Sequence, residues 1–475
     1  MYRLATFAAL AGSVLCKEKP KDFSIAADKY DSGTMHMEIM ATKRGTFQRQ
    51  RDSGAMNSEQ YIELPFANCR DGKAQPFRNN ATLAFRCNNL NLHHFLSHAA
   101  LGSATGEGSS SWGWTSDDGR EFIAIAQADG AAFAQVTTAG KLEYLGRLPK
   151  TSAAEPEIWR EIRGYNNYMI IGSEAEKHNI QIFDMTKLLD LDNRNPVTFN
   201  PDTDVTGIFT DLPIGRTHNV VANPASGFAY SVGAAPRTDK CRSGLIAIDM
   251  SDPAHPTSPG CAAIDGYVHD AQCLMYKGPD AKYAGREICY GYNEDSLSIY
   301  DMSDKLDPHL VSVTSYDGAA YTHQGWVLDP DWQEYLIMDD EYDEFDRVGP
   351  AADGHPVTYI WDISELERPR QTGYYKSTAY SVDHNQYIAG KYAYQSNYGS
   401  GFRILDVSSI PADPTGAGVK EVAFFDVYPE DDAEPNGGVI DFVGTWSSYA
   451  LFESGFIVVN TIERGAFVLK VQSLG

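Results

Sequence analysis

The chain has 475 residues and a formal net charge of −25, and 43% of its residues are hydrophobic. This apolar content suits a globular core, whereas the acidic balance lacks the basic footprint of a nucleic-acid-binding protein and disfavours anionic membrane surfaces. Beyond the first 17 residues no apolar run approaches the roughly 18 residues of a transmembrane helix, so we expect no membrane span.

The N-terminus has the pattern of a secretory signal peptide. Residues 1–17 carry Arg3 and then an apolar run that is too short to span a bilayer. This pattern predicts a secreted, extracellular protein. Residues 18–88 form an N-terminal extension without repeats, and Asn80 opens an Asn-Ala-Thr glycosylation sequon within it, which is compatible with the secretory route.

Six cysteines follow the predicted signal peptide, and an even number in a secreted chain indicates disulfides. The cysteine count leaves the connectivity open. We predict that cysteines adjacent in sequence pair with each other. The predicted disulfides are Cys69–Cys87, Cys241–Cys261 and Cys273–Cys289.

Residues 89–475 contain a repeated unit. Each unit reads as four short apolar segments bounded by Gly, Pro, Asn or Asp, which are strand signals. One segment recurrently ends in an aspartate followed by Met, Ile or Val and then Thr or Ser, and we predict that this aspartate bonds backbone N–H groups in the following turn. These aspartates are Asp184, Asp249, Asp301, Asp362 and Asp406. Since no stretch shows a long 3.6-residue apolar period, helices should be few.

Seven units follow one another, and the predicted fold class is all-β, a seven-bladed β-propeller. The first strands start at Trp112, Trp159, His218, His269, His323, His384 and Trp446. The last unit has only three strand-like segments. We predict that the run at residues 90–101 supplies the missing strand, so that an N-terminal strand closes the ring and removes exposed sheet edges.

Histidines open the first strands of four consecutive units. They are His218, His269, His323 and His384, and a polar residue follows each. In a radial repeat the same position of every unit points at a shared centre. We therefore predict that the four imidazoles line one side of the channel mouth.

Metal binding is one interpretation of this cluster, because several imidazoles on one face form a metal site with open positions. The predicted ligands are His269, His323, His384 and Gln324, for a divalent metal such as Mn, Zn or Ca. Carboxylates at the ends of second strands, such as Glu174 and Glu341, would orient the rings. Alternatively, the histidines bond to channel carbonyl groups and carry no chemistry.

Acid–base catalysis is the second interpretation. A lyase acting on a uronic acid has to neutralise the sugar carboxylate, remove the C5 proton and protonate the leaving oxygen. The predicted catalytic residues are His218, His269, His323, His384, Arg160 and Tyr398, with Arg160 as neutraliser and Tyr398 as proton donor. Alternatively, Arg160 forms a salt bridge to Glu174 or Glu161 and Tyr398 only packs.

A sugar-binding site at the channel mouth would also need aromatic rings and polar side chains. The predicted substrate-binding residues are Trp112, Trp114, Trp446, Arg216 and Asn397. The tryptophans either stack on sugar rings or fill the core.

The runs SWGW, IWREI, THNVV, YTHQGW, DHNQY and TWSSY resemble secreted LVIVD-repeat proteins of the choice-of-anchor B family, over roughly residues 87–470. The resemblance implies a β-propeller and secretion or surface display, and it implies little chemistry. The histidine and glutamine set is similar, more weakly, to propeller lyases of the oligogalacturonate type, which hold a metal with histidines and a glutamine. This second similarity concerns fold and ligand type alone.

Together these patterns predict a secreted, monomeric carbohydrate-active enzyme with a glycan as its partner. Its predicted activity is that of a metal- or histidine-dependent lyase on a terminal uronic acid, with the site at the channel mouth. The alternative is a non-catalytic secreted or surface propeller that binds glycan or protein.

Overall fold

The computed structural model describes residues 18–78 and 80–473. Across these residues the protein is nearly all-β, with 40% of residues in strands and 11% in helices, as the sequence predicts. The predicted signal peptide, residues 1–17, lies outside the described residues. No helix in the described ranges is long and apolar enough to cross a membrane.

The described strands form seven sheets, numbered here by the chain position of their first strand. Each has four antiparallel main strands, given in spatial order. Sheet 1 has Gly108–Thr115, Glu121–Gln127, Gly130–Val136 and Leu142–Pro149. Sheet 2 has Arg160–Tyr165, Tyr168–Ser173, Ile180–Asp184 and Gly207–Phe209. Sheet 3 has Asn219–Asn223, Phe228–Val232, Leu245–Asp249 and Cys261–Ala262.

The next three sheets repeat this order. Sheet 4 has Asp270–Met275, Glu287–Tyr292, Leu297–Asp301 and His309–Tyr316. Sheet 5 has Thr322–Val327, Tyr335–Asp340, Val357–Asp362 and Arg370–Lys376. Sheet 6 has Asn385–Ala389, Tyr392–Ser396, Phe402–Asp406 and Lys420–Phe425.

Sheet 7 joins the two ends of the repeated region. Its strands are Thr445–Tyr449, Phe456–Thr461, Gly465–Val471 and Leu90–Ser97. Leu90–Ser97 pairs antiparallel with Gly465–Val471, so the N-terminal run does supply the fourth strand. This pairing confirms the predicted closing strand.

Short strands extend three sheets at their edges. Glu18–Lys19 pairs with sheet 4, and Val197–Thr198 runs parallel to the last main strand of sheet 1. Phe85–Asn88, Lys73–Ala74 and Cys69–Arg70 extend sheet 6. The N-terminal extension therefore wraps around several sheets and covers edge strands that would otherwise be open to pairing.

The first strands of the seven sheets form a closed series. Each lies against the first strand of the next sheet, and the first strand of sheet 7 lies against that of sheet 1. Apolar cores fill the space between neighbouring sheets, as where Tyr290 of sheet 4 and Trp361 of sheet 5 share one buried cluster. Because neighbouring sheets cover both faces of a sheet, side chains on both faces of a second strand are buried, as at Glu287–Tyr292.

The predicted turns and disulfides are present. Each of the recurrent aspartates accepts a hydrogen bond from the backbone N–H two residues on, at 2.9–3.1 Å. The disulfides Cys69–Cys87, Cys241–Cys261 and Cys273–Cys289 form as predicted. Cys273–Cys289 joins directly opposed residues on the first two strands of sheet 4.

One 20-residue α-helix, Thr34–Ser53, lies in the N-terminal extension and is called the cap helix here. It ends at Gly54, whose φ of 85° is the left-handed conformation that glycine adopts readily. The other helical segments are single turns or slightly longer. They are Phe23–Ile25, Ala26–Asp31, Ser58–Gln60, Ala81–Leu83, Met185–Leu188, Ala281–Tyr283, Asp343–Asp346 and Gly349–Ala351.

Candidate functional site

The four predicted histidines come together at one end of the channel lined by the first strands. His218, His269 and His384 directly precede first strands, and His323 is the second residue of one. Their rings form a continuous row with centroid separations of 4.3, 4.3 and 4.6 Å from His218 to His384. All four are buried. The closed series of first strands therefore makes neighbours of residues that lie more than 50 positions apart in sequence.

Carboxylates hold the Nδ1 atoms of two of these rings. His218 Nδ1 lies 2.5 Å from Glu174 Oε1, and Arg216 donates to Oε2 of the same carboxylate at 2.7 Å. Burial by itself would raise the pKa of Glu174, but His218 and Arg216 outweigh it and lower that pKa. Glu174 is therefore ionised and His218 Nδ1 is the donor. His323 Nδ1 lies 3.2 Å from Asp339 Oδ1.

Backbone carbonyl groups hold the other two rings. His269 Nδ1 donates to the carbonyl oxygen of His323 at 2.9 Å, and His384 Nδ1 donates to that of Trp446 at 2.7 Å. A carbonyl oxygen only accepts, so both Nδ1 atoms carry a proton. In a neutral ring this leaves the lone pair on Nε2, the tautomer in which a histidine binds a metal through Nε2.

A hydrogen bond joins His218 and His269 at one end of the row. Their Nε2 atoms lie 2.7 Å apart. Since His269 Nδ1 already holds the proton of a neutral ring, His218 Nε2 has to donate to His269 Nε2. His218 then carries protons on both nitrogens and forms an ion pair with Glu174.

Glu341 lies at the other end of the row. Its Oε1 accepts from the Lys43 ammonium at 2.6 Å and from the Tyr398 hydroxyl. Its Oε2 is buried without a hydrogen-bond partner and lies 3.8 Å from His323 Nε2, while Oε1 lies 3.5 Å from His384 Nε2. Burial by itself raises the pKa of Glu341, but Lys43 above all outweighs it and lowers that pKa, so Glu341 is ionised.

One group in this cluster has the arrangement of a metal site. His269, His323 and Glu341 each offer a ligand atom, and these atoms lie within 4.8 Å of one another. Because His269 Nδ1 and Glu341 Oε1 are already bonded, a metal would use Glu341 Oε2 and His269 Nε2, in place of the contact of that nitrogen with His218 Nε2. Two imidazole nitrogens and one carboxylate oxygen are a donor set suited to Zn, Mn, Fe or Cu.

The imidazoles are in the form that binds metals. Burial above all lowers the pKa of His269, His323 and His384 well below the ordinary histidine value, and neighbouring positive groups add to this effect. Burial likewise lowers the pKa of His36 to about 3. These rings are therefore neutral at physiological pH.

The cap helix covers the histidine row. Lys43 reaches from it to Glu341, and His36 Nδ1 lies 2.7 Å from the Tyr321 hydroxyl. The His36 ring centroid lies 6.0 Å from that of His218. The extension thus supplies two side chains to the centre itself.

Polar contacts fasten the cap helix to the sheets. Arg51 makes a two-pronged ion pair with Glu107, with N···O distances of 2.7 and 2.8 Å. Arg49 donates to Asp441 at 2.7 Å, and Thr46 donates to the same carboxylate. These contacts hold the C-terminal part of the helix to the segments that precede sheets 7 and 1, which are neighbours.

Beneath the cap helix the histidine row borders a cavity of about 20 Å³. This volume accommodates one water molecule or one ion and excludes a sugar ring. The lining residues are Lys43, Trp159, Arg160, Glu161, His218, Asn219, His269, His323, His384, Asn385 and Trp446.

Several other predicted residues adjoin this cavity, with differing orientations. Trp446 lies edge-on to His384, with centroids 5.3 Å apart. The Arg160 guanidinium donates to the Gln127 carbonyl oxygen at 3.0 Å and lies 2.5 Å from His178 Nε2, so it is directed away from the row and makes neither predicted salt bridge. Asn397 is buried in the loop next to Tyr398.

The remaining predicted residues lie apart from the histidine row. Trp112 and Gln324 line a second cavity of about 10 Å³ between the first strands. The Gln324 side-chain oxygen accepts from the Gln386 N–H at 2.7 Å. Trp114 packs in the core between sheets 1 and 2. The structure thus brings together the four histidines, Trp446, Arg216 and Tyr398, but not Gln324, Trp112 or Trp114.

Sequence reasoning missed His36 and Lys43. The buried face of the cap helix has helical spacing, at Met35, Ile39, Lys43 and Phe47. A lysine at a core position interrupts the apolar pattern, which hides the helix from a search for apolar periodicity. Lysine flanked by buried apolar residues at such spacing is the signal that could have revealed it.

Comparison with protein-family models and with curated proteins finds no match, so the resemblance to the choice-of-anchor B family stays a prediction. Among solved structures, the computationally designed Ika8 protein is 8% identical, with a TM-score of 0.44, over 87% of this chain and 96% of that one. Hydrazine synthase from Kuenenia stuttgartiensis is 11% identical, with a TM-score of 0.47, over 76% of this chain and 95% of that one.

Replacing Glu174→Gln should destabilise the protein at pH 7 by about 3–5 kcal/mol, because it leaves His218 and Arg216 without their buried counter-ion. Since folding lowers the pKa of Glu174 below its ordinary 4.5, its contribution is present above pH 4.5 and is lost as the pH falls. Denaturant unfolding of both proteins at pH 7 and pH 3 should show a smaller difference at pH 3. The exposed Glu176→Gln is the control, and a deficit equal at both pH values would contradict this assignment.

Proposed function

We propose that the seven sheets are the blades of a seven-bladed β-propeller closed by the strand Leu90–Ser97. The support is the closed series of first strands and the shared sheet 7, which are expected when seven similar units surround one axis. The disulfides and the predicted signal peptide support secretion. That the protein is a monomer stays a prediction.

We propose that the histidine row binds one divalent transition metal at the channel mouth. The observation that carries this proposal is that ligand atoms of His269, His323 and Glu341 lie within 4.8 Å of one another, and that His269 donates through Nδ1 to a carbonyl oxygen, which directs an unprotonated Nε2 into the cluster. Metal-binding histidines commonly have such a partner on the other nitrogen. The ligands would be His269, His323 and Glu341.

Lys43 is the counter-ion of Glu341 next to the proposed metal site. Its ammonium lies 2.6 Å from Glu341 Oε1 and stabilises the carboxylate that a metal would share. A divalent ion therefore binds against the charge of Lys43 and competes with it for Glu341. Binding at His269 Nε2 also removes the acceptor of the His218 proton, so metal uptake should release a proton and weaken as the pH falls.

We propose lyase chemistry on a terminal uronic acid as the activity of this centre. Its support is that Glu341, Tyr398 and His384 are in contact, which places a carboxylate, a phenol and an imidazole at one point. A bound metal would neutralise the carboxylate of the sugar. Because the cavity holds no sugar ring, substrate entry requires the cap helix to withdraw. The alternative remains a non-catalytic propeller that recognises glycan or protein.

The metal proposal predicts one equivalent of Zn, Mn, Fe or Cu in the purified protein, measured by plasma mass spectrometry. His269→Ala and His323→Ala should each lose it, because each removes one of three protein ligands. His255→Ala, at an exposed histidine, is the control and should keep the metal. Metal-free wild-type protein that also fails to take up added Zn²⁺ or Mn²⁺ would refute the proposal.

Lys43→Met should tighten binding of Zn²⁺ at least about tenfold, because it removes a positive charge and a competitor next to a ligand carboxylate. Competition with a chromophoric chelator measures the dissociation constant. Arg44→Met removes an exposed charge from the neighbouring position of the cap helix and should leave the constant unchanged. An unchanged or weaker constant for Lys43→Met would place the metal away from Glu341.

The lyase proposal predicts an unsaturated uronic acid product, detected by ultraviolet absorbance, when metal-loaded protein acts on oligosaccharides whose terminal uronic acid carries a sugar at O4, because removal of the C5 proton expels that sugar. Tyr398→Phe should lower kcat by about 100-fold or more, because it removes the proton donor. His255→Ala serves again as the control. Metal binding without product from any such substrate would favour the recognition function.

A further inference from the structure

A second group of acidic side chains lies away from the histidine row, next to the last strand of sheet 6. Asp426 directly follows this strand, and Asp431 and Asp432 lie in the segment that leads to sheet 7. Each offers a carboxylate oxygen, and the three oxygens lie within 4.8 Å of one another. All are oxygen donors, unlike the mixed set of the histidine row.

Asp431 is the member of the group whose carboxylate accepts no hydrogen bond. It is 4% exposed, and both of its carboxylate oxygens are buried without a hydrogen-bond partner. A buried carboxylate with no partner is strongly unfavourable. Gly399 approaches this carboxylate so closely that a Cβ there would lie 2.8 Å from Asp431 Oδ2, and the backbone N–H of Val439 is the nearby group that favours its ionised form.

The net negative charge of the group is suited to a divalent cation. Arg86 forms ion pairs with Asp426 at 2.9 Å and with Asp432 at 2.5 Å. With all three carboxylates ionised, they and one guanidinium sum to a charge of −2. Burial raises the pKa of Asp431 to about 8, so a cation has to displace its proton. Arg86 also donates to the Gly437 carbonyl oxygen at 2.9 Å.

We propose that Asp426, Asp431 and Asp432 bind a calcium ion. Calcium takes six to eight oxygen ligands at flexible geometry, whereas transition metals favour imidazole. Three carboxylates supply part of this shell and water supplies the rest. A secreted protein meets calcium at the concentrations that extracellular sites use.

The ion would brace the segment that supports the cap helix. Residues 426–441 connect sheets 6 and 7, and Asp441 at their end accepts hydrogen bonds from Arg49 and Thr46 of the cap helix. Phe442 follows directly and lies 5.0 Å from the Lys43 ammonium. Calcium at the start of residues 426–441 would therefore help to hold Asp441, at their end, in contact with Arg49 and Thr46.

Calorimetric titration of the full secreted chain with Ca²⁺ tests the proposal. We expect one ion per chain with a dissociation constant on the order of 10⁻⁴ to 10⁻³ M and a rise of a few degrees in Tm at saturating Ca²⁺. Asp431→Asn should weaken binding at least about tenfold and abolish the rise in Tm. The exposed Asp307→Asn is the matched control and should behave like the wild type.

The remaining variants separate this site from the histidine row. His323→Ala should keep calcium binding, and loss of binding there would place the ion at the row. If Asp431→Asn fails to fold, the less buried Asp432→Asn tests the same ligand set. Wild-type protein that binds no Ca²⁺ at about 10 mM, or Asp431→Asn and Asp432→Asn that both bind it as the wild type does, would overturn the proposal.

Discussion

The pairing of Leu90–Ser97 with Gly465–Val471 is the interaction on which the rest of the structure depends. It completes sheet 7 and brings that sheet's first strand against sheet 1, so the series of first strands is closed. Closure holds the histidines at one channel mouth. The same strand ties down the N-terminal extension, whose cap helix then lies across that mouth.

Charged side chains lie close together at the channel mouth, where burial excludes nearly all water. Ionised carboxylates are tolerated there because each has a partner: Glu174 has His218 and Arg216, and Glu341 has Lys43. Desolvation keeps the remaining imidazoles neutral. A buried ion pair adds little net stability over apolar packing, so this arrangement is better explained by what it binds than by the fold it supports.

The proposed lyase reaction requires two positions of the cap helix. With the helix in place, Lys43 neutralises Glu341, and the cavity has the size of an ion or a water molecule. With the helix withdrawn, the carboxylate, the histidines and Tyr398 would face an open channel mouth. The fastening contacts of Arg49 and Arg51 are partly exposed, and such ion pairs contribute little each, so the buried Lys43–Glu341 pair and the apolar face of the helix hold it more firmly.

The sequence by itself determined the all-β class, the repeated unit and the four histidines, and it predicted the fourth strand of sheet 7 and the three disulfide pairs that the structure shows. These features depend on local strand and turn chemistry or on a period that a single sequence displays. Only the tertiary structure decided that Arg160 turns toward His178, that Gln324 bonds to Gln386 and that Lys43 enters the centre. Side-chain direction and long-range partners depend on how neighbouring sheets pack, and a helix whose buried face includes a lysine has no apolar period to reveal it.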